Sequence, residues 1–346
     1  MARQARKDKS RAPAVSVVVV TYQSGATLPR CLAALSAQSF RDYELIVVDN
    51  ASTDRAAQAA AAADPAIRLI ENTGNLGFAA AANQGARAAR GRWLALLNPD
   101  AYADPDWLER LLVAAAAHPQ VRAFASRQLM AQDPTRLDGL GDVMAGAGFP
   151  FRGGYRGPDP GPLPVSEVFS ACGGAMLMDR ALFLELGGFD ERLFCYCEDV
   201  DLGYRLRLEG GRCLLAPDAV VRHEGSASSG GPRSDFATFY GARNRLWVFV
   251  KDTPPLLFWL TLPLHLAATA VLFARHATRG ELASPWRGFK AGVKGLRVAL
   301  EARREAQARR KVGSLAIARA MSWNPIAVSR RRIVIRPLGP TPPAGA

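Results

Sequence analysis

Three aspartates stand where their carboxylates could bind a ligand or accept a proton. Asp49 directly follows an apolar run at residues 45–48, Asp100 comes shortly after a second run at 93–97, and Asp199 lies in a later acidic stretch. In an open α/β sheet, ligands bind beyond the carboxyl ends of the strands. Carboxylates held at that edge, without a dedicated cluster of cations among them, indicate a metal site, a nucleotide site or both.

The elements that position these aspartates alternate between strand and helix from residue 15 to about residue 119. Strands are predicted at residues 16–21, 45–48, 68–70 and 93–97, and helices at 27–38, 54–63, 78–89 and 105–117. This alternation predicts an α/β fold with a doubly wound, mostly parallel sheet. The first βα turn contains no Gly-x-Gly-x-x-Gly, which argues against dehydrogenases and related methyltransferases.

The middle of the chain is less regular. Residues 131–165 are rich in Gly, Pro and Asp, which predicts a long surface loop or lid. Helices are predicted at 180–186 and 198–209, and two further strands at 213–216 and 219–222. Five cysteines without paired spacing indicate reduced thiols in a cytosolic protein.

The positive charge of the chain is concentrated at its C-terminal end. Residues 275–346 contain 16 Lys+Arg and 3 Asp+Glu, a net +13 that equals the formal charge of the whole chain. Just before them, residues 256–274 form a 19-residue run without charge, interrupted by Pro263 and His265. The length of this run suits a transmembrane helix, a break at Pro263 would give a re-entrant or interfacial segment, and a buried helix remains a third possibility.

Positive residues flank the apolar run on both sides, which favours the cytoplasmic side for both. We therefore expect an anionic membrane surface as partner, and no nucleic acid. The predicted location is the cytoplasmic face of the cell membrane, in a peripheral or re-entrant arrangement.

Seven segments occur in the order typical of one enzyme family. They are residues 15–22 (VSVVVVTY), 43–54 (YELIVVDNASTD), 72–78 (NTGNLGF) with Asn83, 97–100 (LNPD), 171–175 (ACGGA), 187–190 (GGFD) and 198–202 (EDVDL). Over roughly residues 14–250 the chain resembles family 2 glycosyltransferases of the GT-A fold. The Leu-Asn-Pro-Asp form, with Arg243 and Asn244, looks most like the rhamnosyltransferase-like branch.

The resemblance implies three regions. A basic tail at residues 1–13 precedes a GT-A domain at 14–250, with a nucleotide-binding half at 14–120 and an acceptor half at 121–250. An apolar segment and basic membrane-surface arm at 251–346 would form a C-terminal helical appendage.

The implied activity is inverting transfer of one sugar, rhamnose being the candidate, from a dTDP- or UDP-linked donor. The acceptor would be a glycan, lipid-linked, in cell-surface polysaccharide synthesis. No Gln-x-x-Arg-Trp motif follows the acidic stretch, which favours single-sugar transfer over chain synthesis. The alternative is a non-catalytic protein that binds a sugar nucleotide and is tethered to membrane or nucleic acid by its basic arm.

Donor recognition is expected at the first two strand ends. A uracil or thymine ring presents an N–H donor at N3, which the carboxylate of Asp49 can accept. Thr21 would add backbone contacts and Tyr22 a stacking face. Asp54 is either a nucleotide contact or the N-cap of the following helix.

Further donor contacts are less specific. Asn75 and Gly77 lie in a glycine- and amide-rich stretch before a helix, which fits either a plain turn or an anion-binding loop. Asn83 belongs to the same motif by resemblance. Arg243 could meet phosphate, or it could flank the membrane segment.

A divalent metal, Mg²⁺ or Mn²⁺, is the expected cofactor. Asn98, Pro99 and Asp100 stand where the fold normally carries its Asp-x-Asp metal motif, so Asp100 alone brings charge and Asn98 replaces the first Asp. His223, at a predicted strand end, would be a second ligand, or else a structural hydrogen-bonding residue.

The expected general base is Asp199, with Glu198 as the alternative. Acids at the start of a helix are favoured by its dipole, so helix stabilisation alone accounts for one or two of them. Phe194 and Tyr196 precede them and could raise a carboxylate pKa by desolvation. By resemblance, Asp199 would deprotonate the acceptor hydroxyl as it attacks the anomeric carbon.

Overall fold

The computed structural model describes residues 11–225, 231 and 233–338. Its strands are β1 Val15–Thr21, β2 Tyr43–Asp49, β3 Ile67–Glu71, β4 Trp93–Leu97, β5 Ala101–Ala103, β6 Ala123–Met130, β7 Leu137–Gly139, β8 Asp142–Met144, β9 Pro150–Arg152, β10 Ser166–Val168, β11 Ala175–Asp179, β12 Cys213–His223 and β13 Arg336–Pro337. Its α-helices are α1 Leu28–Ser36, α2 Ala56–Ala63, α3 Gly77–Ala88, α4 Trp107–Ala117, α5 Arg180–Glu185, α6 Glu198–Leu208, α7 Asp235–Asp252, α8 Pro255–Ala277, α9 Ala283–Lys294, α10 Leu296–Ala308, α11 Ser314–Ala320 and α12 Pro325–Ser329.

One mixed sheet organises the chain, in the order β13-β10-β12-β6-β11-β4-β1-β2-β3. The four strands β4, β1, β2 and β3 run parallel, and β11 pairs antiparallel with both β4 and β6. Strand β1 is rich in β-branched residues and buried along its whole length, as expected for a strand covered on both faces.

Helices cover both faces of the sheet. Val15, Val17 and Val19 pack into a core cluster shared with α1 and α4, whereas Val18 and Val20 face a second cluster built on α3. The alanine-rich α3 lies so close that a Cβ at Gly85 would come within 2.4 Å of Val18. This two-faced packing is the doubly wound architecture predicted from the sequence.

The prediction of a surface loop at residues 131–165 is wrong. This region contains β7, β8 and β9, and Leu137, Leu140 and Met144 are buried. Its glycines allow tight reversals of the chain, since Gly141 and Gly148 adopt φ of +76° and +74°. A composition typical of loops therefore encodes a buried hairpin, which we call the β8–β9 hairpin, together with β7 before it.

The prediction of a helix break at Pro263 is also wrong, because α8 continues through this residue. Proline removes one helical hydrogen bond, but buried side chains on both sides of it, Leu257, Thr261, His265 and Thr269, hold the helix against the body. By length and composition α8 is a candidate membrane span, and only 22% of its most apolar window is buried.

The basic C-terminal region packs against the body. Arg303 Nη1 donates to the carbonyl oxygens of Val250 and Thr253 at the end of α7, at 2.5 and 2.7 Å. Strand β13 extends the central sheet by pairing with β10.

The domain boundary at residue 250 stays a prediction, and in the structure it falls within α7. The two strands predicted at 213–216 and 219–222 form one strand, β12, whose pairing with β6 is irregular between Ala216 and Val220.

Candidate active site

The carboxyl ends of β1 and β2 bring the predicted nucleotide-reading residues together. Thr21 and Asp49 are register partners on the two parallel strands, and Tyr22 follows with a partly exposed ring. Asp49 is buried and accepts hydrogen bonds from the Ser52 amide at 3.2 Å and from Gln58 Nε2 at 3.1 Å. A carboxylate offers about four lone-pair sites, so capacity for another donor remains.

Asn50, which the sequence analysis missed, organises the turn before α3. Its Nδ2 donates to Asn75 Oδ1 at 2.8 Å and its Oδ1 accepts the Leu76 amide at 3.0 Å. Gly77 has φ of +84°, and a Cβ there would come within 2.6 Å of Phe194. Asn75 and Gly77 thus shape a tight turn against the loop that leads to Asp199, and their contact with a donor stays a prediction.

Three other residues that were predicted to contact the donor form hydrogen bonds within the protein, namely Asp54, Asn83 and Arg243. Asp54 accepts the amides of Gly25 at 2.8 Å and Ala56 at 3.1 Å, which closes the loops after β1 and β2. Asn83 is buried and exchanges hydrogen bonds with the Phe189 backbone, at 2.9 and 2.8 Å.

Arg243 Nη2 donates to the carbonyl oxygens of Arg192 and Leu193, at 3.0 and 2.9 Å. In the structure Asp54, Asn83 and Arg243 therefore position other parts of the site, and their predicted donor contact is untested.

One end of the site, which we call the cation end, brings together Asp100, His223, Asn98 and Asp138. His223 ends β12, which pairs with β5 directly after Asp100. His223 Nε2 lies 3.1 Å from Asp100 Oδ1 and 3.4 Å from Asn98 Nδ2, and His223 Nδ1 lies 2.8 Å from Asp138 Oδ2. The predicted pair of Asp100 and His223 is thus adjacent, with an oxygen and a nitrogen side by side.

Opposite charges set the protonation of the cation end. Burial alone would lower the pKa of His223, but the charge of Asp100 and hydrogen bonds to Asp100 and Asp138 raise it to about 9. Burial would raise the pKa of Asp138, yet the charge of Arg152, which is hydrogen-bonded to it, leaves that pKa below its ordinary value.

Asp138 and Arg152 lie in the region expected to be a surface loop, so the sequence analysis missed them. The segment Asp138-Gly-Leu-Gly-Asp142, with two acids around glycines, was the available signal.

The other end, which we call the base end, surrounds Asp199 at the start of α6. Asp199 Oδ2 accepts the Gly173 amide at 2.9 Å, and its Oδ1 accepts the Val200 amide at 2.8 Å. Ligand atoms of Asp142, Cys172 and Asp199 all lie within 4.8 Å of one another. Asp142 was also missed, for the same reason as Asp138.

Burial and like charge govern protonation at the base end. Burial raises the pKa of Asp142 well above its ordinary value, and the charge of Asp199 raises it further. The same two causes raise the pKa of Glu198, and burial raises that of the Cys172 thiol. A cation at this cluster would have to displace protons from Asp142 and Cys172, and a thiol is a soft ligand that Mg²⁺ and Mn²⁺ do not prefer.

Two adjacent glycines separate the two ends. Gly173 donates to Asp199, while Gly174 accepts the Asn98 amide at 2.9 Å. A Cβ at Gly174 would come within 3.2 Å of Asn98 Nδ2. Consecutive Cα atoms are only about 3.8 Å apart, so the cation end and the base end are immediate neighbours.

The loop before α6 holds an unfavourable backbone conformation. Phe194, Tyr196 and Cys197 have φ of +66°, +69° and +68°, and each such residue costs on the order of 1–3 kcal/mol. Asn244 Nδ2 lies within hydrogen-bonding distance of the carbonyl oxygens of Leu193, Cys195 and Tyr196, at 2.7–2.8 Å. The surrounding structure thus holds the loop that delivers Asp199, as at other functional sites.

The aromatic residues predicted beside the base extend into a larger cluster. Phe194 stacks on Tyr240 at 5.2 Å, and Tyr196 lies 6.0 Å from Phe236. These rings cover the loop from the side of α7 and help to fix its conformation.

Comparison with known proteins identifies the family. Residues 16–187 match the family described as Glycosyl transferase family 2. The N-acetylglucosaminyl-diphospho-decaprenol L-rhamnosyltransferase of Mycobacterium tuberculosis (strain ATCC 25618 / H37Rv) is 32% identical over 266 residues, which cover 68% of this chain and 83% of the relative. The chain belongs to glycosyl transferase family 2.

Solved structures extend the likeness of this family 2 glycosyltransferase to the fold. The mannosyltransferase PcManGT of Pyrobaculum calidifontis, in complex with GDP-Man and Mn²⁺, aligns with a TM-score of 0.53 and 20% identity, over 90% of this chain and 88% of that one. GalNAc-T7 with UDP, GalNAc and Mn²⁺ gives 0.55 and 18%, over 68% of this chain and 48% of the other, so the chain spans about half of its length. At these identities the likeness concerns the fold alone.

The family resemblance, the GT-A fold and the assignment as a glycosyltransferase, all predicted from the motifs, are confirmed. The predicted role in cell-surface glycan synthesis agrees with the curated relatives of this family 2 glycosyltransferase, which include an O-antigen biosynthesis protein of Myxococcus xanthus. Family membership favours an enzyme over the alternative of a non-catalytic binding protein.

Proposed function

We propose that this glycosyltransferase moves one rhamnosyl residue from a dTDP- or UDP-linked donor to a lipid-linked glycan acceptor, with inversion at the anomeric carbon. The observation that carries the proposal is the juxtaposition of the cation end and the base end across Gly173 and Gly174. Inversion requires the leaving group and the activated nucleophile on opposite faces of one sugar ring. Two chemically different groups on either side of a narrow backbone segment support such an arrangement.

The donor and acceptor classes rest on a relative. The Mycobacterium tuberculosis protein is named for rhamnosyl transfer to N-acetylglucosaminyl-diphospho-decaprenol. The likeness extends over most of that protein, which supports a similar donor sugar and a diphosphate-linked acceptor here.

Asp100 and His223 would hold a divalent cation at the cation end. Their adjacent oxygen and nitrogen atoms fit such an ion, and Asp138 orients the imidazole so that Nε2 faces Asp100. A bound cation would supply Lewis-acid stabilisation of the nucleoside diphosphate as it leaves. The nitrogen ligand favours Mn²⁺ over Mg²⁺, which prefers oxygen.

Asp199 would accept the proton of the acceptor hydroxyl. Each of its oxygens receives one backbone N–H, which fixes the carboxylate plane while leaving lone pairs free. Glu198 is the weaker candidate because burial raises the pKa of its carboxyl well above its ordinary value, which favours the protonated form.

Asp49 would read the N3–H of the pyrimidine ring, with Thr21 and Tyr22 as its neighbours. Asp54, Asn75, Gly77, Asn83, Asn98 and Arg243 would shape the surrounding donor site, directly or through the loops that they hold.

We propose that α8 lies in the interface of the cytoplasmic leaflet, as a peripheral anchor. Its polar residues Thr261 and His265 face the body, whereas Trp259, Leu260 and Leu266 are exposed. This pattern reverses that of a helix on a soluble protein. Because the buried stripe ties α8 to the body along its length, an in-plane arrangement satisfies the apolar face without pulling the helix away.

A transfer assay tests the proposal. Purified protein is given a panel of nucleotide sugars and a prenyl-diphosphate-linked N-acetylglucosamine, with Mn²⁺ or with chelator, and the product is analysed by NMR. We expect Mn²⁺-dependent transfer from a dTDP- or UDP-linked donor and an inverted anomeric configuration. Donor binding without turnover would support the binding-protein alternative, and a retained configuration would contradict the role of Asp199.

A further inference from the structure

Two arginines on α7, two residues apart, differ in what they contact. Arg243 donates to the carbonyl oxygens of Arg192 and Leu193. Arg245 is half-buried, and its guanidinium lies 4.3 Å from the ring centroid of Phe149. Within residues 11–225, 231 and 233–338, no hydrogen-bond acceptor or carboxylate pairs with it.

The charge of Arg245 is therefore poorly compensated. Burial lowers its pKa to about 10, still far above neutral pH, so the guanidinium remains cationic. Retaining an uncompensated, partly desolvated cation is costly for a folded protein. A cation kept in such a place is suited to an anion that arrives from outside the chain.

The position of Arg245 relates it to the base end. Phe149 closes the β8–β9 hairpin, where its carbonyl accepts the Ala145 amide at 3.0 Å. Asp142, three residues before Ala145 on the same hairpin, has its carboxylate within 4.8 Å of that of Asp199. At a strand rise of about 3.3 Å per residue, the hairpin tip is roughly 10 Å from Asp142. That separation is comparable to one sugar ring with its attached phosphate groups.

The same hairpin tip contacts α8. His265 Nδ1 donates to the carbonyl oxygen of Ala147 at 2.8 Å, and its ring lies 5.2 Å from that of Phe149. The opposite side of α8 exposes Trp259 and Leu260. The β8–β9 hairpin therefore contacts both Arg245 and α8 at its tip, while Asp142 on the same hairpin lies beside Asp199.

We propose that Arg245 binds the diphosphate that joins the acceptor sugar to its lipid. The sugar would lie at Asp199 and the prenyl chain along α8. A guanidinium presents a planar fork of donors that matches phosphate oxygens in a bidentate manner, and that of Arg245 rests against Phe149. This inference rests on the proposed function, since it concerns the acceptor of that reaction.

The test compares two acceptors with the same sugar, one linked to prenyl diphosphate and one a phosphate-free alkyl glycoside. Arg245→Gln should raise KM for the diphosphate acceptor about 10–100-fold, the range expected for lost charge-assisted hydrogen bonds. The KM ratio between the two acceptors should collapse accordingly, and Arg245→Lys should retain part of the preference. Arg110→Gln, an exposed arginine on α4, is the matched control. Equal changes for both acceptors, or none for the diphosphate acceptor, would overturn the inference.

Direct binding separates this inference from the proposed function. Farnesyl diphosphate is titrated calorimetrically into wild type and Arg245→Gln, each saturated with nucleotide and with matched melting temperatures, and vesicles containing phosphatidylglycerol form a second arm. Weaker binding of farnesyl diphosphate by the variant supports the inference even if wild type transfers to neither acceptor, a result that would count against the proposed function only. Loss confined to vesicle binding would identify a lipid headgroup as the ligand and refute the acceptor role.

Discussion

The two ends of the active site differ in how they arrange charge. At the cation end, His223 lies between the carboxylates of Asp100 and Asp138, so opposite charges alternate. At the base end, Asp142, Glu198 and Asp199 gather carboxyl groups with no cation hydrogen-bonded to Asp199 among the described residues. A metal ion in place of the proton on His223 would preserve the alternation of positive and negative charge at the cation end. At the base end the carboxyl groups can take up protons, but they cannot all be ionised at once.

The comparison teaches that one backbone segment can serve two chemistries because the surroundings differ. Burial with a counter-charge favours ionised groups, whereas burial beside a like charge favours neutral ones. Breaking one end should therefore leave the other end functional.

The largest effect is expected for Asp199→Asn. Loss of the general base should reduce transfer by about 10²–10⁴-fold, while Mn²⁺ and donor affinities, measured by calorimetry, stay within about twofold. Glu198→Gln is the matched comparison and should cost less than about tenfold. A larger loss for Glu198→Gln than for Asp199→Asn would exchange their roles.

Removing charge from the cation end should affect donor and metal together. Asp100→Ala should weaken donor binding in the presence of Mn²⁺ but not in the presence of chelator, because its carboxylate acts through the cation. The loss of transfer should reach about 100-fold or more, since a Lewis acid supplies several kcal/mol. Equal donor affinity with Mn²⁺ and with chelator in the wild-type protein would contradict the metal assignment.

Asp138→Asn tests the support of His223. Loss of a carboxylate that orients a ligating histidine typically costs about 10–100-fold in metal affinity, and we expect that range for Mn²⁺ measured by titration. Asp133→Asn changes a partly exposed aspartate on the preceding turn and provides the control. If both variants bind Mn²⁺ as wild type does, Asp138 has no role in orienting His223.

The pH dependence follows from the raised pKa of His223, to about 9. In chelator, protonated His223 stabilises the fold fully below about pH 6.5, its unfolded value, and this contribution is lost as pH rises through about 9. Mn²⁺ must displace that proton, so its affinity should rise about tenfold per pH unit from pH 7 towards 9. Calorimetry across this range in wild type and His223→Gln measures the effect, and a flat profile in wild type would argue against His223 as ligand.

The smallest effect is expected for Asp49, the residue proposed to contact the nucleobase of the donor. Asp49→Asn should weaken UDP or dTDP binding by about tenfold, the value of one charge-assisted hydrogen bond, and should leave the Mn²⁺ affinity of the free protein unchanged. UDP methylated at N3, which lacks the N–H donor, serves as the control nucleotide. An equal loss for the methylated nucleotide would mean that Asp49 shapes the loop and does not read the ring.

The sequence predicted the nucleotide half of the molecule well because its information is local. Strand β4 coincides with the prediction and β1 differs by one residue, since β-branched, buried runs indicate parallel strands without knowledge of the partner. Asp49, Asp100 and Asp199 could be singled out because each follows a recognisable element.

The rest depended on contacts between residues distant in sequence. Asp138 on β7 and Asp142 on β8 meet His223 and Asp199 only because glycines reverse the chain between β7 and β9, a feature that composition does not distinguish from a loop. The continuity of α8 through Pro263 likewise depends on packing against the body, which outweighs a local breaker. Arg243 and Arg245 have the same side chain, and only the structure separates an arginine bonded to backbone carbonyls from one that contacts an aromatic ring.

The most direct test of the account is pulsed electron paramagnetic resonance of Mn²⁺ bound with nucleotide. The account predicts a ¹⁴N coupling from one imidazole, lost in His223→Gln and unchanged in Asp199→Asn. A spectrum without nitrogen coupling, or one that is lost in Asp199→Asn, would place the cation away from Asp100 and His223. The division of the site into a cation end and a base end would then be contradicted.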